Sequence, residues 1–369
     1  MSDFISHFSS IPEPRIERCR KHELIDILFL SISAILCGAD GWEEIEDFGR
    51  AKLDWLRRYF PYKEGIPKHD TIARVLSRLD TEALQKSFIS WVNSASKLTD
   101  GEVIAIDGKT VRRSFKKGNR KSAIHMVSAW ACQNNLVLGQ QKVDAKSNEI
   151  TAIPALLDLL EIKGCIITID AMGCQTAIAD KIITQGADYV LALKGNQGEL
   201  CDEVKWLFQQ KEHPELKEQT VEETNSGHGR IETRRCRQIV INKKWLTSST
   251  RWNKLKTIIE INSTRIMDNI TTTENRYYIS SLSLDAKKAA DAVRSHWAVE
   301  NKLHWVLDVS FREDESRIRR GNGAEVMSTF RRLTLNLLKK NTTSNASLKR
   351  KRKIALMDEK LLTEIIDGI

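Results

Sequence analysis

The feature that most constrains the fold is the alternation of β-branched segments with amphipathic segments between residues 100 and 193. The β-branched segments predict strands at 103–106, 124–131, 136–143, 165–169 and 189–193. The amphipathic segments predict helices at 150–160 and 175–184. A short turn can join an antiparallel hairpin, whereas a helix between two strands allows them to run parallel. The sequence therefore predicts an α/β fold with a mixed sheet whose later strands are parallel.

Residues 1–97 show helical patterning and predict a helical N-terminal domain in front of this sheet. Gly38 suits the end of the first helix, because glycine accepts the left-handed C-terminal conformation, and Asp70 can cap the third. The third helix places Arg74 and Arg78 on one face. A turn followed by a basic helix can bind DNA, and a helical bundle with solvated arginines is the alternative. The three predicted helices are 24–37, 42–60 and 70–79.

Residues 98–369 form the second predicted domain, the catalytic one. A polar stretch at 195–283 interrupts it and predicts a β-rich insertion, with strand-like segments at 231–241, 257–261 and 276–280. A long helix is expected to follow the insertion, from Asp285 to about Trp305. The expected architecture is therefore an α/β sheet domain with a β-rich insertion before its last major helix.

The charge of the chain favours a polyanionic partner, because the formal net charge is +9 and the pI about 9.1. A basic C-terminal tail, residues 340–369, contains five consecutive cations at 349–353. Their mutual repulsion disfavours a packed position and favours contact with DNA phosphates. A solvated segment that only aids solubility is the alternative.

Three features predict a cytoplasmic protein without a membrane partner. The apolar stretch 24–37 is too short to span a bilayer and is interrupted by Asp26. The first 12 residues contain no basic region followed by an apolar run, so we expect no signal peptide. The seven cysteines include no CxxC pair, which indicates reduced thiols rather than a zinc site or a disulfide framework.

Two of the predicted strands end in an aspartate, Asp107 and Asp170. Catalytic groups in open α/β sheets gather at the carboxyl ends of the strands. A half-buried carboxylate there needs a partner, which can be a hard cation or the N-terminus of a helix. Helix capping would explain either aspartate alone. Two aspartates on strands that can be neighbours favour a metal site.

A two-metal site for phosphoryl transfer usually needs a third carboxylate, because its ions lie roughly 3.5–4 Å apart. Glu300 is the best candidate, since His296 and His304 flank it at helical spacing on one face. An ordinary exposed glutamate is the alternative, and the roles of the two histidines stay open. Zinc is disfavoured because no third ligand is spaced nearby. Rival carboxylates are Glu149, which also suits the dipole of the 150–160 helix, and Asp308, Glu313, Asp314 and Glu325.

Long sequence blocks throughout the chain carry a family resemblance. They are GADGW at 38–42, GIPKHDT at 65–71, IDGKT at 106–110, KSNEI at 146–150, DAMGCQ at 170–175, LKGNQ at 193–197, HWAVENKLHW at 296–305 and IRRGN at 318–322. On these blocks the chain resembles the bacterial insertion-sequence transposases of the ISAs type, the group that includes the H-repeat-associated proteins. So many blocks in one order are a specific signal, unlike any single short motif.

The resemblance implies an RNase-H-like catalytic core of the DDE transposase superfamily. Asp107, Asp170 and Glu300 would match the acidic DDE triad that binds Mg²⁺, with Mn²⁺ as an alternative ion. The implied activity is DNA cleavage and strand transfer at insertion-sequence ends by two-metal phosphoryl transfer. The implied partners are double-stranded DNA, both the terminal inverted repeats and the target, and a second copy of the chain in a homodimer on DNA.

The resemblance is incomplete around the glutamate. Related transposases carry a tyrosine, an arginine and a lysine at positions where this chain has Val293, His296 and Leu307. We therefore do not expect this chain to make all the DNA-phosphate contacts that the motif makes in related transposases. The side chains expected to contact DNA are Arg74, Arg78, Lys109, Lys194, Asn196, His296, Lys302, Arg319 and Arg320.

Two other functions stay open on the sequence. The first is a catalytically inactive DNA-binding relative of a mobile element, although all three acidic residues of the expected triad are present. The second is a two-metal nuclease for RNA or repair intermediates. Cleavage of element ends in Mg²⁺ would separate the first from a transposase, and a panel of RNA, nicked and terminal-repeat substrates would separate the second.

Overall fold

A mixed β-sheet forms the centre of the protein. The structure is a computed structural model that describes residues 2–115, 122–144, 147–210, 216–227, 229–242, 244–268 and 270–368. Nine strands occur in these described ranges and are numbered in chain order: β1 Val103–Thr110, β2 His125–Ala131, β3 Leu136–Lys142, β4 Ile166–Ile169, β5 Asp188–Leu193, β6 Glu218–Gly227, β7 Arg230–Val240, β8 Thr257–Met267 and β9 Ile270–Ser280. They form one sheet in the order β3-β2-β1-β4-β5-β9-β8-β7-β6.

The first five strands confirm the prediction of a mixed α/β sheet. β1, β2 and β3 pair antiparallel, whereas β1, β4 and β5 run parallel to one another. Helix α7 (Glu149–Leu159) connects β3 to β4, and α8 (Thr176–Thr184) connects β4 to β5. Each parallel step therefore contains the helical crossover that such a connection requires.

The prediction that the first strand ends at Asp107 is wrong. β1 continues to Thr110, because residues 107–110 pair with residues 125–128 of β2. An Asp-Gly pair is typical of a turn, but here a long partner strand keeps it in the ladder. Asp107 therefore projects from within a strand, whereas Asp170 directly follows β4 as predicted.

The β-rich segment extends the central sheet instead of forming a separate one. It begins with helix α9 (Gly198–Gln209), which the sequence did not predict, and continues as the strands β6 to β9. The last of these, β9, pairs antiparallel with β5. The strands are longer than predicted at their polar ends, where threonine hydroxyls on facing strands hydrogen-bond, Thr224 with Thr233 at 3.0 Å and Thr264 with Thr273 at 3.3 Å.

The residues before the sheet are helical, as predicted. Gly38 follows the first long helix with a φ of +116°, which is the left-handed ending that favours glycine. The prediction that Asp70 caps the third long helix is wrong, because that helix begins at His69, whose backbone N–H donates to Glu46 Oε2 at 2.7 Å. The predicted helix 42–60 is divided in two. The helices are α1 Ser2–Phe8, α2 Leu24–Leu36, α3 Trp42–Ala51, α4 Leu53–Leu56, α5 His69–Leu76 and α6 Thr81–Ala95.

The remaining helices place the core between the sheet and the N-terminal helices. They are α10 Ala286–His296, α11 Trp305–Phe311, α12 Gly323–Lys340, α13 Leu348–Met357 and α14 Glu359–Ile366. α12 packs against β3 of the sheet and against α2 and α6. Nearly all of its residues from 323 to 338 are buried. Among the described residues, no helix combines the length and the apolar character that crossing a membrane would require.

The basic tail is folded, and the prediction that its cations repel one another out of packed positions is wrong for two of them. Lys351 and Arg352 are buried on α13. The Arg352 guanidinium donates to the carbonyl oxygens of Ile35 (2.7 Å), Leu36 and Ser310. The last carbonyls of α2 have no partner within that helix, so a cation there satisfies them and interacts favourably with the helix dipole. Lys349, Arg350 and Lys353 are exposed.

Candidate active site

Asp107 and Asp170 lie next to each other because their strands are parallel neighbours. Ile106 on β1 faces Ile169 on β4, so the residue after each of them lies at the same level of the sheet. Asp170 Oδ1 accepts backbone N–H groups from Met172 at 3.0 Å and Gly173 at 3.3 Å. These bonds fix the carboxylate in a turn before α8, and Asp170 is not the residue that caps that helix.

Glu300 comes from the helix that the sequence predicted from Asp285 onwards. The Asp285 side chain caps α10 by accepting the N–H of Lys288. The helix does not continue regularly to Trp305, because Glu300–His304 form a π-helical segment between α10 and α11. Such one-turn widenings recur at functional sites, and this one places Glu300 opposite the two aspartates.

His304 lies between the glutamate and the first aspartate. Its Nδ1 is 3.1 Å from Glu300 Oε2 and 3.5 Å from Asp107 Oδ2. Ligand atoms of these three residues all lie within 4.8 Å of one another. His304 is only 4% exposed, whereas the Glu300 side chain is 63% exposed. The imidazole therefore anchors a surface glutamate beside a half-buried aspartate.

The carboxylates line a cleft of about 500 Å³. Asp107, Asp170 and Glu300 line it together with Trp297 and Lys194. The Lys194 side chain is exposed to solvent. The carboxylates would repel the phosphates of a nucleic-acid strand that entered the cleft, because both groups are negatively charged. A cation bound between them would remove this repulsion.

The electrostatics of the cleft reflect unbalanced negative charge. Burial is the main reason that the pKa of Asp107 is raised to about 7, and three neighbouring carboxylates add to the effect. Burial likewise raises the pKa of Asp170. Burial lowers the pKa of His304 and lowers that of His296 to about 4, so both imidazoles are neutral at pH 7. Neither histidine supplies the missing positive charge.

The donor set fits a divalent metal ion. Carboxylate oxygens are the ligands that Mg²⁺ and Mn²⁺ prefer, and a neutral imidazole nitrogen is acceptable to Mn²⁺. The raised pKa of Asp107 marks a carboxylate whose burial is not offset by an internal cation. A bound cation would offset the cost of burying this carboxylate. The unbalanced negative charge and the ligand chemistry therefore both indicate a metal site.

Comparison with known proteins agrees with this geometry. The family model described as a transposase DDE domain matches residues 98–337, and the model described as DDE_Tnp_1-associated matches residues 5–92. The chain belongs to the DDE transposase family. The matched segment of the DDE domain contains all three carboxylates of the cleft.

Relatives in the family cover the whole chain. The "Putative transposase YncI" of Escherichia coli O157:H7 is 46% identical over 369 residues, which cover 99% of this chain and 95% of the relative. The "H repeat-associated putative transposase YhhI" of Escherichia coli K12 is 44% identical and covers 100% of this chain and 98% of the relative. A third relative, "Inactive transposase YbfQ" of the same strain, is 47% identical over 78 residues, or 21% of this chain and 93% of the relative.

Four of the rival carboxylates are occupied by cations within the protein. Asp308 and Asp314 hold Lys109 Nζ at 2.8 and 3.1 Å. Glu313 is buried against Arg332, whose Nη1 lies 3.0 Å from its Oε1. Glu325 Oε2 lies 3.2 Å from Lys142 Nζ. The fifth rival, Glu149, pairs with a histidine instead and lies beside Asp107.

The side chains expected to contact DNA are found in three situations. Lys109 is buried in its two ion pairs, so its charge is used inside the protein. His296 Nδ1 lies 3.0 Å from Thr168 Oγ1, and the neutral ring offers a hydrogen bond rather than a charge. The others are exposed or partly exposed: Arg74, Arg78, Lys194, Asn196, Lys302, Arg319 and Arg320.

Sequence reasoning missed residues that the structure brings to these surfaces. Arg112, Arg113, Phe115 and Arg317 gather with Arg319 around a cavity of about 500 Å³. The arginine pair directly after the IDGKT block is a signal that could have found this cluster. His125 pairs with Glu149, and no spacing in the sequence could have linked them because they lie on different elements.

Proposed function

We propose that this protein is a DNA transposase that cleaves element ends and joins them to target DNA by two-metal phosphoryl transfer. The observation that carries the proposal is the convergence of Asp107, Asp170 and Glu300 on one cleft from three separate elements. The mixed sheet with helical crossovers supports an RNase-H-like core for the sheet that presents them. Membership of the DDE transposase family favours phosphoryl transfer, and the three carboxylates of the cleft supply the chemical reason for it.

Asp107, Asp170 and Glu300 would hold the divalent ions, Mg²⁺ or Mn²⁺. Bound ions of this kind lower the pKa of a water or a DNA 3′-hydroxyl and neutralise charge on the leaving oxygen. His304 keeps the Glu300 carboxylate turned towards Asp107 through its 3.1 Å hydrogen bond. The two backbone N–H groups that hold Asp170 Oδ1 leave its other oxygen for a metal. The exposed Lys194 lies on the cleft and can contact a phosphate of the entering strand.

The arginine cluster offers a surface for the phosphates of duplex DNA beside the cleft. Arg112, Arg113 and Arg317 are exposed, and the Arg319 guanidinium lies 4.7 Å from the centre of the Phe115 ring. Only Arg112 has a carboxylate partner among the described residues of this cluster, Asp314 at 3.1 Å. Guanidinium groups without an internal carboxylate partner are suited to phosphate contacts.

A loop joins this cluster to the basic helix of the N-terminal region. The backbone N–H of Asn322 donates to the carbonyl of Ser77 at 2.9 Å, and its side-chain amide donates to the carbonyl of Leu79 at 2.9 Å. Arg78 lies between the two bonded residues, and Arg320 lies two residues before Asn322. The exposed Arg78, which follows α5, and the arginines of the 317–320 loop therefore belong to one surface, which we propose contacts the terminal repeats.

Gly321 makes this junction close. Its φ is +51°, and a Cβ there would lie 2.3 Å from the carbonyl oxygen of Ser77. The steric conflict explains why a residue without a side chain stands at this point of the IRRGN block. We expect the double variant Arg317→Ala, Arg319→Ala to weaken duplex binding, and Lys86→Ala, an exposed cation on α6, to leave it unchanged.

The experiment that tests the function uses a duplex that carries the junction between the element end and its flanking DNA. We expect strand cleavage at the junction in Mg²⁺ or Mn²⁺, none in EDTA, and none by Asp107→Asn. Specific binding without cleavage in either metal would favour the inactive DNA-binding relative, for which the short relative YbfQ is a precedent by name. Cleavage of RNA or nicked duplex in preference to the end would favour a nuclease.

A further inference from the structure

A histidine–glutamate pair lies against the strand that carries Asp107. Glu149 is the first residue of α7, and its Oε1 lies 2.6 Å from Nε2 of His125 on β2. The other ring nitrogen, Nδ1, lies 2.8 Å from Oγ1 of Thr110 at the end of β1. Helix capping does not explain Glu149, because the Asn148 side chain caps α7 by accepting the N–H of Ile150.

The direction of the hydrogen bond between His125 and Glu149 is fixed by the carboxylate. A carboxylate oxygen accepts, so Nε2 of His125 is the donor to Glu149 Oε1. The other ring nitrogen, Nδ1, is hydrogen-bonded to the Thr110 hydroxyl. His125 thereby holds Oε1 of Glu149, and the second carboxylate oxygen has no partner among the described residues.

Gly108 lets this pair approach the residue after Asp107. A Cβ at Gly108 would lie 2.1 Å from Glu149 Oε1 and 2.4 Å from His125 Nε2. Its φ is not in the left-handed region, and it pairs with Val127 as an ordinary strand residue. The missing Cβ at Gly108 therefore leaves room for the carboxylate and the imidazole, and any larger residue would displace them.

We propose that Glu149 is a fourth carboxylate of the metal centre and that His125 is the residue that positions it. The inference rests on the proposed function and extends its site. Glu149 would provide its unpartnered oxygen as a metal ligand next to Asp107 and Asp170. His125 would act as the outer partner that orients a ligating carboxylate, as such partners commonly do in metal sites.

Charge balance supports this assignment. Among the carboxylates near Asp107 and Asp170, Glu149 has the largest charge effect on the pKa of both, after burial. Its charge is therefore directed at the pair of aspartates. Four carboxylates carry four negative charges, which two divalent cations would balance.

The test measures Mn²⁺ binding to the full-length protein by titration calorimetry and by the EPR signal of free Mn²⁺. We expect His125→Gln to weaken binding roughly tenfold, within the range found for outer partners of metal ligands, and Glu149→Gln, which removes a ligand charge, to weaken it more, by roughly 100-fold. The matched control is Glu161→Gln, an exposed glutamate just after the other end of α7, which should bind as the unaltered protein does.

A second readout separates a ligand from a structural residue. A ligand that repels its neighbours in the metal-free site stabilises the protein when it is neutralised. We therefore expect Glu149→Gln to have an unchanged or higher melting temperature without metal, and a smaller rise on adding Mn²⁺. A lower metal-free melting temperature together with full Mn²⁺ affinity would overturn the proposal and make the pair a packing element.

Asp107→Asn distinguishes a failure of this inference from a failure of the proposed function. If Asp107→Asn loses Mn²⁺ binding while Glu149→Gln keeps it, only the role of Glu149 is overturned. If neither variant changes Mn²⁺ binding, the metal centre itself is overturned. If Glu149→Gln does not fold, Glu149→Asp replaces it, since this change keeps the charge but shortens the reach, and it should still weaken Mn²⁺ binding.

Discussion

Two groups of carboxylates in this protein differ in how their charge is balanced. Glu313 is fully buried between α11 and α12, yet Arg332 lies 3.0 Å away and Ser328 Oγ donates to it at 3.1 Å. Burial alone would raise the pKa of Glu313, but the two neighbouring guanidinium groups hold it below its ordinary value. In the cleft, burial raises the pKa of Asp107 to about 7, and its nearest charged neighbours are further carboxylates.

The difference separates carboxylates whose charge is matched within the fold from those that we propose bind metal. A buried carboxylate with internal cations has its charge matched within the fold, and removing one partner of such a pair is strongly destabilising. A group of carboxylates without internal cations costs folding free energy, and a bound metal ion can offset that cost. Neutralising a cleft carboxylate should therefore lower metal binding without lowering stability, whereas neutralising a paired, buried carboxylate should lower stability without lowering metal binding.

The largest effect is expected from neutralising the cleft. Asp107→Asn, Asp170→Asn and Glu300→Gln should each lower metal-dependent cleavage about a thousandfold or more, because each removes a ligand charge at nearly constant volume. The metal-free melting temperature should not fall, and for Asp107→Asn we expect it to rise at pH 8. Cleavage assays and differential scanning calorimetry measure the two quantities.

The control for these variants comes from the other group. Asp308→Asn removes a carboxylate that holds the buried Lys109 rather than one that lines the cleft. It should lower the melting temperature but leave Mn²⁺ affinity within a fewfold of normal. Near-normal cleavage by Glu300→Gln would remove Glu300 from the triad and make Asp308 and Asp314 the next residues to test.

The second prediction concerns the buried carboxylate Glu313 and its arginine partners. Glu313→Gln removes the carboxylate that pairs with the buried Arg332 and Arg331, so we expect a loss of about 3–5 kcal/mol in the free energy of unfolding. The variant should retain Mn²⁺ binding at temperatures where it is folded. Urea unfolding followed by circular dichroism measures the loss. A change smaller than about 1 kcal/mol would mean that the charge of Glu313 is not matched in the way its neighbours suggest.

Sequence reasoning found the cleft group better than the buried group, for a physical reason. Asp107 and Asp170 follow β-branched runs on what proved to be neighbouring strands, so their local pattern already indicates a shared position. Glu313 and Arg332 come from different elements, and only packing reveals that their charges meet. The sequence accordingly ranked Glu313 as a rival ligand, although it is fully buried against two arginines.

The same limit applies to the tail and to Glu149. Five consecutive cations predict an exposed segment, but helical spacing puts Lys351 and Arg352 on the inner face of α13, where carbonyl oxygens accept from them. Glu149 suits a helix dipole when only its own helix is considered. Its partner His125 and the close approach over Gly108 come from β1 and β2, so the tertiary structure is needed to see them.

The third prediction concerns pH. The pKa of Asp107 is raised from 3.8 to about 7 in the folded metal-free protein. Between pH 3.8 and pH 7, therefore, the folded protein keeps a proton on Asp107 that the unfolded chain has released. This contribution to stability is present at low pH and is lost as the pH rises through about 7. A metal must displace the proton, so affinity should fall about tenfold for each unit below pH 7.

The measurement is the rise in melting temperature caused by Mn²⁺ at pH 6 and at pH 8. We expect the larger rise at pH 8, and Asp107→Asn should flatten the difference because it removes the titrating group. An equal rise at both values for the unaltered protein would show that Asp107 does not compete with protons for the metal.

The smallest effect is expected from substitutions in the basic tail. Its cations, like the carboxylates, divide into buried ones with internal partners and exposed ones. Lys349, Arg350 and Lys353 are exposed on α13 and can contact DNA phosphates, so replacing all three with Gln should leave the fold intact. The slope of log affinity against log salt should flatten by about 0.9 for each duplex phosphate that the variant no longer neutralises.

Arg352→Gln is the matched opposite, because its guanidinium already donates to the carbonyls of Ile35 and Leu36. Losing these buried hydrogen bonds should cost about 1–3 kcal/mol of stability and leave the salt slope unchanged. If the triple variant also leaves the slope unchanged, the exposed tail cations do not hold DNA. The electrostatic part of DNA binding would then come from Arg78 and the arginines of the 317–320 loop, and the double variant Arg317→Ala, Arg319→Ala should flatten the slope instead.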